Sequence, residues 1–266
     1  MQVLKSRHNI WVFLLCVVGT QAVFVYGVAN GYLSVDHYPM GRFYILFILA
    51  TIYTVLDRGI GGIWDLIRPM LVWRVSIWWY VFAITWLTVF ALAILFVKNL
   101  INGNGIVAIP LTFTMLNNFP LLKGIFLASI IEEIVWIGLI LTVLQKRFTP
   151  LVSSQILGVF WYLWWVPVIL YGQAVVPGVP VSILWLHYLG IAATCAWVYY
   201  FTKSGLVVAL MQMLTNSVSL IVPILPHLSD VPTYITFIIG KLLFAILLFA
   251  MFGPKPLFGK TAKVAC

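Results

Sequence analysis

Ser129-Ile130-Ile131-Glu132-Glu133-Ile134-Val135-Trp136-Ile137-Gly138 sets two adjacent carboxylates in the middle of an apolar run, and they are the only glutamates in the chain. At the centre of a lipid-spanning helix an ionised carboxylate costs about 2.5–3.5 kcal/mol on insertion scales, so two in a row need a reason. The bland reading is a neutral or internally paired couple that only glues helices together. The sharper one is a site, because ionisable groups inside a membrane mark pathways and binding centres by default.

The surroundings establish that the solvent is a bilayer. The 266 residues are 64% hydrophobic and only 8% charged, far beyond the apolar share of a soluble domain. The net charge of +9 does not point to nucleic acid, because the basic residues are scattered at the ends of apolar runs and read as topology signals. Cys16, Cys195 and Cys266 are an odd number without metal-ligand spacing, which argues against a disulfide framework. Cys266 is the last residue rather than fourth from the end, so no prenylation box is expected. Lys5 and Arg7 precede an apolar run from Ile10 to Ala29 that is long enough to span, so a retained first helix is expected rather than a cleaved signal peptide.

Apolar runs of spanning length recur along the chain. They predict helices near 10–29, 41–56, 75–97, 119–144, 151–171, 181–201, 205–222 and 232–252. The fold class is therefore an all-α, polytopic membrane protein with about eight transmembrane helices. Residues 105–118, with Pro110, Asn117 and Asn118, read as a re-entrant or interfacial piece. Ile60 to Trp73, with Trp64, Asp65 and Arg68, reads as an interfacial amphipathic helix. With the N-terminus inside, Lys5, Arg7, Arg58, Arg68, Arg74, Lys146, Arg147, Lys203, Lys255, Lys260 and Lys263 fall on the cytoplasmic side. Only Arg42 and Lys98 fall in outer loops, while Lys123 snorkels at an outer helix end. The basic bias predicts an integral protein of the cell membrane with both termini cytoplasmic. The expected organisation is 1–104 for the N-terminal helices with their amphipathic segment, 105–252 for a helical core and 253–266 for a basic tail.

The polar residues inside the spans share a depth. Glu132 and Glu133 lie halfway along the fourth predicted helix, Gln212 and Asn216 halfway along the seventh, and Lys241 near the middle of the eighth. Trp161, Trp164 and Trp165 sit at the same level of the fifth. That is what a polar cavity inside a bundle requires, although centred residues would share a depth by chance. His187, beside Trp185 and Tyr188, falls nearer the outer face and reads as interfacial. Gln212 and Asn216 are one turn apart on one face, and hydrogen bonding to neighbouring helices, worth around 0.6 kcal/mol, is their bland explanation. Packing is the bland explanation of the three tryptophans.

These residues resemble the CAAX prenyl protease and bacteriocin-processing (CPBP) family of eight-helix intramembrane peptidases. The family's first motif is a Glu pair followed by three residues, Arg and Gly, often with an aromatic before the Arg. Here Glu132, Glu133, Trp136 and Gly138 match, and Ile137 stands at the Arg position. The second motif runs from an aromatic to His four residues later and Pro two further on. Trp161, Trp164 and Pro167 match, with Trp165 in place of His. The third is His followed four residues later by Asn or Asp; here Gln212 replaces the His and Asn216 is kept. The stretch from Trp64 to Tyr80 is similar to the family's basic segment before its third helix. Thr202-Lys203-Ser204-Gly205-Leu206 is similar to the turn before its third motif. The resemblance implies a CAAX-protease-like bundle in which Glu132, Glu133 and Asn216 occupy catalytic positions, with Trp165, Gln212 and Ile137 as altered ones.

Chemistry separates this chain from its pattern. In the family the leading Glu and the two His residues activate water beside the cleaved bond, through a metal in some accounts, and Asn helps hold the oxyanion. Trp offers one indole donor and no basic lone pair, and Gln does not titrate. Neither replaces imidazole as base or metal ligand, so no cofactor is expected, and a metal only if the site is active. Helical geometry places residue 137 one turn after Glu133, the spacing of an ion pair. With Ile137 there, Glu133 stays neutral or finds a charge elsewhere, and Lys241 is the expected donor of that charge. Adjacent helical residues point about 100° apart, so Glu132 and Glu133 cannot share one role; by family position Glu132 faces the cavity and Glu133 supports it.

Three readings stand. One is a pseudoprotease that keeps the cavity as a membrane scaffold, regulator or immunity-type protein. It would bind a membrane protein or peptide through Lys241, Trp161 and Trp164, with the lipid bilayer as its standing partner. Another is an active intramembrane endopeptidase with Glu132 as general base and Asn216 as oxyanion donor. The third is a small-molecule transporter, since midplane polar groups also mark transport sites, although no second half repeats the first.

Overall fold

A computed structural model describes residues 9–104, 109–172 and 176–259. Nine helices form among the described residues, with no strand. They are α1 (Ile10–Ala29), α2 (Tyr38–Arg58), α3 (Gly62–Ile67), α4 (Ile77–Ile101), α5 (Phe119–Leu144), α6 (Pro150–Leu170), α7 (Val181–Thr202), α8 (Gly205–Ile221) and α9 (Val231–Phe252). Seven are long and apolar enough to cross a membrane, so the chain is an integral, all-α membrane protein. The seventh predicted span, α8, is only 17 residues long. It still runs the depth of the bundle. Gly205 at its start packs on Pro69 and Met70, and Ile221 at its end accepts a backbone hydrogen bond from Thr112 at the opposite end.

The helix ends follow from local chemistry. Asn9 caps α1, Asn118 caps α5, Ser204 caps α8 and Asp230 caps α9, each accepting a backbone N–H of the first turn, which satisfies a donor the helix itself leaves orphaned. Pro39, Pro120, Pro150 and Pro232 stand in first turns, where the missing N–H costs nothing. The predicted amphipathic helix over 60–73 is shorter than expected: α3 ends at Ile67 and a 3-10 turn, Arg68–Leu71, follows, because Pro69 cannot continue it. In the predicted re-entrant stretch, residues 105–108 lie outside the described residues. Its remainder is loop with one 3-10 turn, Thr114–Asn117, and not a helix within the bundle.

Packing is closest where glycine lets backbones touch. A Cβ on Gly158 would lie 2.9 Å from the Leu189 Cα, which sets the α6–α7 crossing. A Cβ on Gly190 would lie 2.9 Å from the Leu242 backbone N, which sets α7 against α9. Elsewhere, α8 packs on α4 and α5, and α1 and α2 close the side formed by α5 and α6. The short α3 lies against α5 through Gly138, where any side chain would press on the Leu66 carbonyl oxygen at 3.1 Å. The face carrying α3 also holds the C-terminal end of the described chain: Thr149, ahead of α6, bonds Leu257 and Gly259. That face is referred to below as the α3 face.

Candidate intramembrane site

Directly after the glutamate pair, α5 changes its winding. Ile134–Leu141 is π-helical, with all eight residues buried; such segments are rare and collect at functional sites. The i→i+5 pattern changes the spacing argument made for an ordinary helix. The residue that closes the turn on the Glu133 carbonyl is Gly138, whose Cβ position lies 3.6 Å from that oxygen, and not Ile137.

The two carboxylates meet different surroundings. Glu132 lines a cavity of about 400 Å³ that runs from mid-bundle towards Pro39 and Pro120 at the starts of α2 and α5. Its Oε1 accepts a hydrogen bond from the Trp161 indole at 3.1 Å. The indoles of Trp136 and Trp165 also face it. Glu133 is fully buried away from the cavity, and neither of its oxygens has a hydrogen-bond partner.

The cation of this site is Arg42, not Lys241. The sequence placed Arg42 in an outer loop, but α2 begins at Tyr38 rather than 41, and this carries Arg42 inside the bundle, where it is buried. Its guanidinium lies 4.1 Å from the Trp165 ring centroid, 4.3 Å from that of Phe43 and 5.3 Å from that of Trp164, positions that favour a cation over aromatic faces. It lines the same cavity as Glu132 and is the positive charge that acts on it, without a direct ion pair among the described residues. The signal was available in the sequence: the predicted second span was short, and Pro39 is a first-turn residue.

Lys241 points elsewhere. It is fully buried on α9, but its Nζ sits 2.6 Å from His187 Nδ1 and 4.6 Å from the Phe237 ring centroid. It makes no ion pair with either glutamate, so the expected charge compensation of Glu133 by Lys241 does not occur. His187 is corrected with it. It faces inward from α7 and lines a second cavity, of about 210 Å³, shared with Trp165, Tyr188, Gln212 and Asn216.

Trp165 and Asn216 line both cavities, so they form the wall between them. Asn216 Nδ2 donates to Ser129 Oγ at 3.3 Å, sewing α8 to α5. Gln212 is buried with its Oε1 unpaired. Trp161 and Trp164, expected as binding residues, are buried behind the wall: Trp161 stacks on Trp136, and Trp164 meets Trp136 and Trp165 edge-on. The bundle thus brings Glu132, Asn216, Gln212 and Trp165 around one pair of cavities and leaves Glu133, Ile137 and Lys241 outside them.

These side chains do not fit a bound metal. Among the described residues no three His, Cys, Asp or Glu side chains come together to hold an ion. Glu132 already receives an indole N–H, and His187 is engaged by Lys241.

Residues 113–218 match the family model described as type II CAAX prenyl endopeptidase Rce1-like. The matched stretch, less than half of the chain, runs from just ahead of α5 into α8 and contains all three motif positions, so the similarity covers the part of the chain that carries the two cavities. No curated protein matches the chain.

Proposed function

We propose that this protein is a pseudoprotease: a membrane protein that keeps the CAAX-endopeptidase core and uses its cavity to bind a peptide or transmembrane segment without cutting it. The observation that carries this is Trp165. It stands where the family places a histidine, and its indole forms the wall that keeps the Glu132 carboxylate in one cavity and the His187 imidazole in the other. General base catalysis needs a base within hydrogen-bond reach of the attacking water and a proton donor for the leaving amine. Glu132 has three indoles around it and makes no salt bridge among the described residues. Binding needs less, and a mid-depth cavity with one cation, one carboxylate and one amide among apolar walls suits a segment carrying a few polar groups. The cations Arg58, Arg68, Lys146 and Lys203 share the α3 face, which supports placing that face in the cytoplasm of a cell whose surface membrane holds the protein.

One observation favours a reduced but working endopeptidase as the second reading. His187 brings an imidazole to a cavity shared with Asn216, so a substrate able to displace the Trp165 ring would meet both halves of a catalytic set. Purified wild-type protein and the Trp165→His/Gln212→His double variant, incubated with a prenylated CAAX peptide, separate the two. Pseudoprotease function predicts no cleavage by wild type and a gain of cleavage in the double variant that Glu132→Gln removes. Wild-type cleavage lost in both Glu132→Gln and His187→Gln would establish the second reading instead.

A further inference from the structure

The α3 face carries a third cavity, which the intramembrane site does not use. It encloses about 320 Å³, and Arg58, Arg68, Lys146 and Lys203 line it together with the single carboxylate Asp65. The four cations come from four places in the chain: the end of α2, the 3-10 turn after α3, the loop after α5 and the cap of α7. Topology alone asks for basic residues on a face, not for their convergence on one cavity. Like charges brought together repel, and here the repulsion has a trace: burial, with Arg58 beside it, holds the Lys146 ammonium below the usual lysine range. Burial lowers Lys203 as well.

Intrinsic compensation is partial. Arg58 pairs with Asp57 at 3.4 Å, and the C-termini of α2, α5 and α7 each contribute roughly half a negative charge. Arg68 and Lys203 have no ion pair among the described residues, and among the side chains the four cations outnumber Asp57 and Asp65. Its back wall is rigid. Gly138 holds the Leu66 backbone in contact, Thr142 is bonded to its own helix, and Ser204 donates to the Val72 carbonyl, which ties the α7–α8 turn to the chain beyond α3. Trp64, Trp73 and Trp78 stand exposed around this face, the arrangement that marks headgroup depth in a bilayer.

We infer that this cavity is a binding site for a phosphate-bearing anion, gripped by Arg68 and Lys203 with Arg58 and Lys146 behind them. Arginine and lysine suit phosphate through charge-assisted hydrogen bonds, arginine in a two-pronged geometry. The same chemistry is offered by an anionic lipid headgroup and by free phosphate, and their sources are separable. Binding is read as the shift in thermal midpoint of the full chain in phosphatidylcholine nanodiscs with added phosphatidylglycerol, and separately with added inorganic phosphate. A rise with phosphatidylglycerol alone assigns the site to a lipid headgroup, and a rise with inorganic phosphate assigns it to a free anion. In either case Arg68→Gln/Lys203→Gln weakens binding by about ten-fold or more, as loss of two charge-assisted contacts implies. Arg74→Gln, an exposed cation of the same face outside the cavity, leaves it unchanged. The proposal is overturned if neither anion shifts the midpoint, or if Arg74→Gln weakens the response as much as the double variant does. Should the double variant fold poorly, Arg68→Lys, which keeps the charge and removes the fork, must still weaken the response.

Discussion

The two cavities on either side of Trp165 hold the parts that a peptidase would keep together. On the α2 side are a carboxylate and a guanidinium, Glu132 and Arg42. On the α7 side is an imidazole, His187, engaged by an amine. The first cavity is fixed by aromatic faces: the Arg42 guanidinium lies over Trp165 and Phe43, and Glu132 takes its hydrogen bond from Trp161. The second is fixed by backbone approach, since Gly158 and Gly190 let α6 and α9 close on α7. The difference turns on Trp165: at a position where the resemblance implies an imidazole, it supplies the ring against which Arg42 is buried beside a carboxylate.

The largest effect should come from breaking the first cavity. Arg42→Ala removes the charge that acts on Glu132 and empties the space between three rings. The lost cation–ring contacts, worth about 2 kcal/mol each when desolvated, and the space left behind predict a fall in thermal midpoint in detergent that exceeds any other single change on this wall. Arg42→Lys keeps the charge and should recover only part of the loss, because the planar stacking is gone. Equal stability of Arg42→Lys and wild type would mean that the rings hold nothing.

Breaking the second cavity should cost less. Gly190→Ala sets a methyl 2.9 Å from the Leu242 backbone N, with the Lys241 carbonyl carbon at 3.2 Å. Neither is the end of a flexible side chain, so α9 has to shift. Overpacking of this kind costs about 1–3 kcal/mol, and the shift should pull Lys241 off His187. The histidine ring signals in a labelled sample report that separation; unchanged signals with lowered stability would show that the pair follows α7 rather than the α7–α9 crossing.

The two cavities also differ in how much of each the sequence discloses. The spans are legible because each apolar run of spanning length is bounded by a cap or a proline, and α1 and α5 have the predicted limits. Glu132, Gln212 and Asn216 could be placed near one another from depth alone. The partner of Lys241 could not, because depth along a helix says nothing of its rotation, and a lysine reaches well away from its own Cα. Arg42 was hidden by an error of three residues at the start of α2, enough to move a cation from the outer end of a span to a full turn inside it. The π-helical turns of α5 were hidden too, since a run apolar on every side carries no periodicity from which a change of winding can be read.

A smaller effect tests the contrast between the glutamates themselves. Glu133 has no hydrogen bond and no cation among the described residues, whereas Glu132 has both an indole donor and Arg42 in its cavity. Glu133→Gln keeps the shape and removes the possibility of charge, so its cost should stay within about 1 kcal/mol. Glu132→Gln leaves Arg42 without its counter-charge and should cost more. If the order of the two were reversed in thermal unfolding, the roles assigned to the two carboxylates would have to be exchanged.

The smallest effect lies at the end of α9, which carries Lys241 to His187. Asp230 caps that helix, accepting the Thr233 backbone N–H at 2.6 Å, and pairs with Lys98 at the end of α4. The Lys98 ammonium and the Thr233 hydrogen bonds hold its carboxyl down at about 2, below the ordinary 3.8. A depressed carboxyl contributes stability that is fully present above its unfolded value and lost as pH falls through its folded value. The contribution should therefore be constant at neutral pH and disappear between pH 3.8 and about 2. Its size is limited because the pair is exposed and screened; with the cap included, Asp230→Asn should cost about 1 kcal/mol or less. Wild type and Asp230→Asn unfolded side by side over that range should converge at the acid end. Convergence that instead begins near neutral pH would implicate a different group in anchoring α9, and with it a different origin for the position of Lys241.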